Sequence, residues 1–403
     1  MPRLSKILLI VAAVPLALLA GWTRVIEPAL VKLPGDVNRT NNYSGTVSVF
    51  VDAKTATDLP TPQESPMTIV RVTKSLLGET GATTTAMSDT DTIDLLGQSS
   101  VQESVFVLDR SSSRNVFDDR ATAYSTPVNR HGAYYPLLPF GVDSSRRYPI
   151  WNNEAGAIYV MQRAGGAETA TINGLKVLRM SGTLPITPVA SYYKGELTKL
   201  GLPTQLTPEQ LQAQFASSGA SINQVADALG KVLSPDEMLT VIGALANPLP
   251  LKYYTALTGD ARIEPTTGIV VWTHSVKRFF VGPDPASLAP VKKALDKHVS
   301  DPVVKAVDDY LTTLSQPRAA FTLDYTTNTA SANSMASYAK DQRFKLRLAQ
   351  LYAPAGLLLV TVLLCFGAWL PWRRRRQPPA PPAERDVVDI RFATANEREP
   401  AGV

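Results

Sequence analysis

Three histidines, His131, His274 and His298, and one cysteine, Cys365, are all the chain offers for imidazole or thiol chemistry. None of the histidines has a His or Cys partner at metal-ligand spacing. No HExxH, GxSxG, Walker A or GxGxxG pattern occurs. A single cysteine excludes an internal disulfide framework and a cysteine-based zinc site. Asp89-x-Asp91-x-x-Asp94 gathers three carboxylates of the kind that hold Ca²⁺, but it lacks the glycine and terminal glutamate of an EF-hand loop and reads as the solvated face of a strand. Asp118-Asp119, with Arg114 and Arg120 nearby, reads as a surface ion-pair group. These residues imply no reaction, so the expectation is a non-enzyme with no cofactor and no metal.

The strongest candidate for binding is the loop 124–151, where aromatics and prolines alternate. Long loops with bulky side chains often carry function. Tyr134, Tyr135, Leu137, Leu138, Phe140 and Trp151 are the candidate wall of an apolar pocket. The competing reading is a loop pinned across a sheet by its own aromatics.

The elements that must position this loop are mostly strands. Thr46–Val51, Met67–Thr73, Thr83–Ile93, Glu103–Asp109 and Ala157–Arg163 are rich in β-branched residues or alternate with period two. Asn173-Gly174 between two such runs predicts a two-residue hairpin. From about 190 to 247 the period becomes helical. Thr207-Pro208-Glu209 and Ser234-Pro235-Asp236-Glu237 each place an N-cap, a proline at the first helical position and early acids, and Glu237 completes a capping box. Strands return over 253–280 and at 318–325, helices fit 285–299 and 301–314, and residues from Ser331 onward read as a helix that runs into the apolar segment beyond. The fold class is therefore α+β: a large, β-rich antiparallel ectodomain with a helical insertion, flanked by N- and C-terminal transmembrane helices.

Two uncharged apolar runs set the topology. Ile7–Trp22 follows Arg3 and Lys6; poor residues at either cleavage position favour an uncleaved anchor over a signal peptide. Leu351–Trp372 is long enough to span, has Tyr352 at one end and Trp369 and Trp372 at the other, and runs straight into Arg373, Arg374, Arg375 and Arg376. The divisions are an anchor at 1–24, an extracytoplasmic domain at 25–349, a transmembrane helix at 350–372 and a basic, proline-rich disordered tail at 373–403. The basic flanks place both termini in the cytoplasm and the domain outside. Of forty basic residues, three lie before residue 25 and seven beyond 372; of thirty-five acids, five lie beyond 372, so residues 25–372 carry thirty of each. A neutral folded domain excludes a nucleic-acid binder. In the tail, Asp386–Phe392 alternates and could add as an edge strand to a partner.

Val107-Leu-Asp109-Arg110, Tyr148-x-x-Trp151, Asn173-Gly-Leu-Lys-Val-Leu and Glu264-Pro-Thr-Thr-Gly-Ile-Val-Val, set between two anchors, resemble an actinobacterial cell-envelope family of the PorA type, some of whose members carry the name of a channel-forming protein. A looser likeness of layout is to the class B scavenger receptors, with two terminal spans and a β-rich ectodomain under a helical head that conducts lipid. These likenesses imply an envelope membrane protein whose ectodomain binds or conveys a lipid or other apolar component. The alternatives are a structural or recruiting protein with an envelope polymer or protein as partner, and a porin-like channel. Membrane lipids are the expected partners throughout.

Overall fold

Alternation along each strand decides which side chains face inward, and the pairing register then brings the sheet round on itself. The computed structural model describes residues 13–26, 31–33, 36–52, 58–95, 97–217 and 222–375. It divides into two units, Glu27–Gln350 and a terminal unit of Met1–Ile26 with Leu351–Val403.

In the first unit the strands are β1 (Asn38–Val51), β2 (Asp58–Ser75), β3 (Thr84–Leu95), β4 (Gln98–Asp109), β5 (Thr122–Ala123), β6 (Thr126–Pro127), β7 (Tyr148–Asn152), β8 (Ala157–Arg163), β9 (Thr169–Ile172), β10 (Leu175–Pro188), β11 (Gln205–Leu206), β12 (Leu249–Ile263), β13 (Val270–Pro283) and β14 (Arg318–Thr327). Their order is β6-β5-β4-β3-β2-β1-β14-β13-β12-β10-β8-β7, antiparallel throughout. The two ends of this path are joined. Leu108 on β4 bridges Asn115, Arg114 bridges Tyr134, and Tyr134 bridges Ile150 on β7. A closed path of main-chain pairing results from β4 to β7: the sheet is a barrel, its edges joined by main chain over that part of the seam.

Outside, the barrel is mostly polar: Thr46, Thr68, Glu103, Thr258, Asp260 and Asp324 are exposed, with Val101 on β4 and the neighbouring Ile158 and Val160 on β8 as apolar exceptions. Inside, Val47, Met67, Ile69, Phe279, Phe321 and Leu323 form the core.

Helices close both ends. β10 leads into α1 (Lys194–Lys199), α2 (Pro208–Ser217), α3 (Ile222–Leu229) and α4 (Pro235–Leu245) before β12 returns. β13 leads into α5 (Pro285–Leu295) and α6 (Pro302–Ser315) before β14 returns. The departing ends of β10 and β13 neighbour the starting ends of β12 and β14, so both groups form one cap with its own core of Leu211, Leu229, Val241, Leu288, Val304 and Leu311. The expected insertion over 190–247 is thus half of the cap. The expected N-caps are present: Ser234 with Glu237 in a capping box, and Thr207 exchanging hydrogen bonds with Gln210. At the opposite end α7 (Thr329–Arg347) lays Ala336 and Ala339 on Leu175, Val177, Ile269 and Val271. The predicted Asn173-Gly174 turn is there, with φ of 45° and 68°.

In the terminal unit residues 13–21 are helical, Trp22–Ile26 forms a π-helical turn, and α8 runs from Ala353 to Arg375. One helix among the described residues, Thr329–Gly367, is long and apolar enough to cross a membrane. Leu359, Val362, Leu363 and Phe366 on it are exposed, a surface that suits hydrocarbon. The expected N-terminal span does not meet that measure within the described residues; Arg3 and Lys6 lie outside them, as do Arg376 and the tail with its Asp386–Phe392 segment.

Candidate functional site

The barrel interior holds a continuous strip of polar side chains beside the apolar core. Arg71 and Asp91 are direct cross-strand partners on β2 and β3. The guanidinium binds the carboxylate in a fork, Nε to Oδ1 and Nη2 to Oδ2, both at 2.7 Å, a geometry that arginine matches and lysine does not. Asp89, two residues back on the same face, lies 3.4 Å from Nε and accepts hydrogen bonds from Thr73 Oγ1 at 2.7 Å and Tyr135 OH at 3.2 Å. The Arg71 guanidinium sits 5.5 Å from the Tyr43 ring and 5.9 Å from that of Tyr135. Tyr43 meets Tyr325 edge-on at 5.8 Å, Lys277 lies 5.8 Å from the Tyr325 ring, and Lys277 donates to Glu154. Beyond them Tyr193 stacks on Phe279 at 6.1 Å, and Phe279 on Phe321 at 4.4 Å.

The charges in this strip are shifted by burial and by each other. Burial pushes the Asp89 carboxyl above its usual range, against the pull of Arg71. Burial lowers Arg71, but Asp91 and its other neighbours outweigh it, and the guanidinium is held well above its ordinary value. Lys277 follows the same pattern, with Glu154 overcoming burial. Burial pushes Tyr43 up to about 12. The groups nevertheless retain accessible surface: 19% of the Arg71 side chain, 20% of Asp91 and 17% of Lys277. These are inward positions, so that access means the strip is not packed solid.

The six loop residues singled out from sequence do not converge on one wall. Tyr134 and Leu138 pack with Tyr148, Ile150, Met180 and Ile263. Leu137 and Phe140 pack against Leu33, Met87 and Phe106, and Tyr135 touches both groups and adds its hydroxyl to the polar strip. Trp151 is buried 6.5 Å from the His131 ring. The geometry favours the loop pinned by its own aromatics. Its far side is clamped by the β12–β13 turn: Gly141 N–H donates to Thr266 O at 3.1 Å and Val142 N–H to Pro265 O at 2.6 Å. That turn is held by Glu264, 0% exposed, whose Oε2 accepts from Thr267 N–H at 2.7 Å and Thr267 Oγ1 at 2.9 Å.

The acidic run is corrected in part. Only Asp94 is exposed, where Thr68 donates to it at 3.1 Å; Asp89 and Asp91 share the opposite parity and point inside. Asp118 and Arg120 form the expected surface pair, at 2.7 Å and 2.8 Å, whose hydrogen bonds hold Asp118 down at about 2. Arg114 instead stands 5.1 Å from the Tyr134 ring. His274 pairs with Asp324 at 2.8 Å and His298 with Glu237 at 3.1 Å. Among the described residues no three His, Cys, Asp or Glu side chains could share a metal ion. Sequence reasoning missed Arg71, Lys277 and Glu154; the signal for the first was its parity with Met67 and Ile69 on one strand.

One solved structure, a conserved protein of unknown function with a hot dog fold from Alicyclobacillus acidocaldarius, aligns at 10% identity over 73% of this chain and 81% of that chain, with a TM-score of 0.09, too low to bear on the fold. No curated protein matches. A family model described as Porin PorA matches residues 4–370, which takes in the barrel, the cap and nearly all of the apolar helix. The chain belongs to the Porin PorA family.

Proposed function

We propose that this chain is a non-enzymatic membrane protein of the cell envelope, whose barrel lies outside the membrane and takes a ligand into its interior. The observation that carries the reading is the strip of partly accessible ion pairs, flanked by buried tyrosines, inside a barrel whose outer face is mostly polar. Arg71 and Lys277 already have their acids, so the strip presents neutral, hydrogen-bonding surface next to aromatic rings. A ligand with polar groups suits it. A bare alkyl chain would have to strip water from paired charges, which is costly, so the apolar cargo implied by resemblance gives way to an amphipathic or polar one. The apolar helix anchors the barrel, and the arginines after it support a cytoplasmic C-terminus; Arg3 and Lys6 before the first apolar run support the same side for the N-terminus. Native mass spectrometry of the full chain released from nanodiscs tests the reading. A bound organic mass that is lost on Lys277→Met supports it. A clean apo mass after purification and after incubation with membrane extract counts against it.

The family's description as a porin favours a second reading, an oligomeric channel in which several copies enclose a pore. Single-channel steps from purified protein in a planar bilayer would support that reading, and their absence at high protein load would remove it.

A further inference from the structure

The barrel seam is built differently at its two ends. Towards α7 the main chain closes it: Asn115 N–H donates to Ala133 O at 3.1 Å, Tyr134 N–H to Pro149 O at 2.8 Å and Trp151 N–H to Tyr134 O at 3.0 Å. Towards the cap, among the described residues, side chains alone cross it. Asn153 Nδ2 donates to Ser104 Oγ at 3.3 Å, and the Tyr124 ring lies 6.1 Å from Tyr192 and 5.0 Å from Tyr193. Tyr124 and Ser125 hold φ of 51° and 65°, left-handed backbone that is unusual for a bulky residue and that concentrates at functional sites.

Behind these side chains lies Arg130, 2% exposed. Its Nη1 and Nη2 donate to Val105 O at 3.0 Å and Thr122 O at 2.6 Å, its guanidinium carbon is 4.0 Å from the Phe106 ring centroid, and its Nε has no partner among the described residues. The other interior cations, Arg71 and Lys277, each have a carboxylate; among the described residues none reaches Arg130. Its charge is felt at the Tyr192 phenol. Tyr192 OH and Asn153 Oδ1 also lack partners among the described residues. A buried cation without a counter-ion is expensive, and here it sits among unsatisfied polar atoms beside the weakly closed part of the wall.

We propose that the cap half of the seam, at Ser104, Tyr124, Asn153 and Tyr192, is the entrance to the barrel, and that Arg130 behind it binds an acidic group of the ligand, a phosphate or carboxylate. The proposal rests on the interior-binding reading above and names the chemistry that reading leaves open.

The test uses the full chain in zwitterionic nanodiscs, with inorganic phosphate titrated against chloride at equal ionic strength and the thermal midpoint as readout. Phosphate raises the midpoint of the wild type, and the apparent affinity falls by about 10-fold or more in Arg130→Gln, as expected for losing a charged hydrogen-bond donor. Tyr192→Phe, which removes one hydroxyl, weakens the response less and covers the case in which Arg130→Gln does not fold. An oxidised Ser104→Cys/Asn153→Cys pair, made with Cys365→Ala, slows phosphate uptake, followed as the rate of the fluorescence change on rapid mixing with phosphate. Nanodiscs of anionic phospholipid then separate the sources: a retained lipid adduct that Arg130→Gln loses assigns the phosphate to a headgroup, and saturation by free phosphate with no adduct assigns it to a soluble ligand. A wild type indifferent to phosphate overturns the Arg130 site, as does an equal shift in Arg130→Gln and Tyr192→Phe. Unchanged uptake through the cross-linked seam overturns the entrance. An uncharged ligand that copurifies equally with wild type and Arg130→Gln leaves interior binding standing and removes the acidic-group assignment alone.

Discussion

Replacing Lys277 by Met should destabilise the barrel, and most of the loss should return when Glu154 is replaced as well. Lys277 and Glu154 face each other across the interior with 17% and 9% of their side chains accessible. Removing one partner of a buried pair strands the other charge, at a cost of about 3–5 kcal/mol. Residual water access screens the stranded carboxylate, so the lower figure, about 3 kcal/mol, applies to Lys277→Met. For a body as long as Glu27–Gln350, each kcal/mol moves the midpoint by about 2 °C, giving a drop of about 6 °C. In Lys277→Met/Glu154→Leu no charge is stranded, and replacing a buried pair with apolar groups is close to neutral, so the midpoint should lie within about 2 °C of wild type. The assay is thermal unfolding of the full chain in detergent, followed by near-ultraviolet circular dichroism at one scan rate, with both single variants and the double variant forming a cycle. Additive losses across the cycle would refute the reasoning. They would mean that the two charges do not sense each other and that the interior behaves as bulk water.

Three further outcomes are expected. Gly268 has φ of 70°, and a Cβ there would run into the carbonyl oxygens of Leu138 and Pro139. Gly268→Ala should therefore cost about 2 kcal/mol or more and open residues 124–151 to protease, whereas Gly259→Ala, whose Cβ would meet nothing nearer than 3.9 Å, should leave cleavage unchanged; equal cleavage of both would sink the clamp. Hydrogen bonds from Lys297 and then from the Ser234 cap lower Glu237 from 4.5 to about 2. A depressed folded value means that this contribution is complete above pH 4.5 and is lost as the pH falls towards 2; the midpoint difference between pH 5 and pH 3 should shrink in Glu237→Gln, and an unchanged slope would remove Glu237 from the acid response. Cys365, exposed on the apolar helix, should resist a membrane-impermeant maleimide in intact vesicles and react with a lipid-soluble one; labelling by the impermeant reagent would contradict a span there.

What could be read from the sequence was local. Ser234 and Glu237 make a capping box because both halves lie within one turn, and Asn173-Gly174 makes its hairpin because two residues alone must take positive φ. The barrel closure was hidden because it runs through isolated bridges among Leu108, Asn115, Arg114, Tyr134 and Ile150, none of which has a repeating pattern to announce it. The polar strip was hidden for a different reason. On Thr84–Leu95 the large apolar residues Met87, Ile93 and Leu95 share one parity, which marks the inward face, but Asp89 and Asp91 share it too, and carboxylates on a strand read as its solvated side. Arg71 supplies the missing reason: β2 turns Met67 and Ile69 inward, Arg71 follows, and its charge pairs the carboxylates that Met87, Ile93 and Leu95 carry inward on β3. The loop aromatics looked like a pocket because composition does not reveal what a ring packs against.

The porin description and the polar outer face can be reconciled by asking which surface meets lipid. A barrel that spans a bilayer carries an apolar band outward and polar groups inward. Here Thr46, Thr68, Glu103, Thr258, Asp260 and Asp324 stand outward, where hydrocarbon would leave their polar groups unsatisfied. The apolar surface that lipid requires is instead on the helix, at Leu359, Val362, Leu363 and Phe366. On the proposed reading, contact with lipid falls to the helix and contact with water to the barrel. Any passage of solute across the membrane would then have to run between copies of the helix, whose apolar stretch from Leu351 to Trp372 carries no charge to line a pore, while the groups suited to holding a polar solute lie inside the barrel.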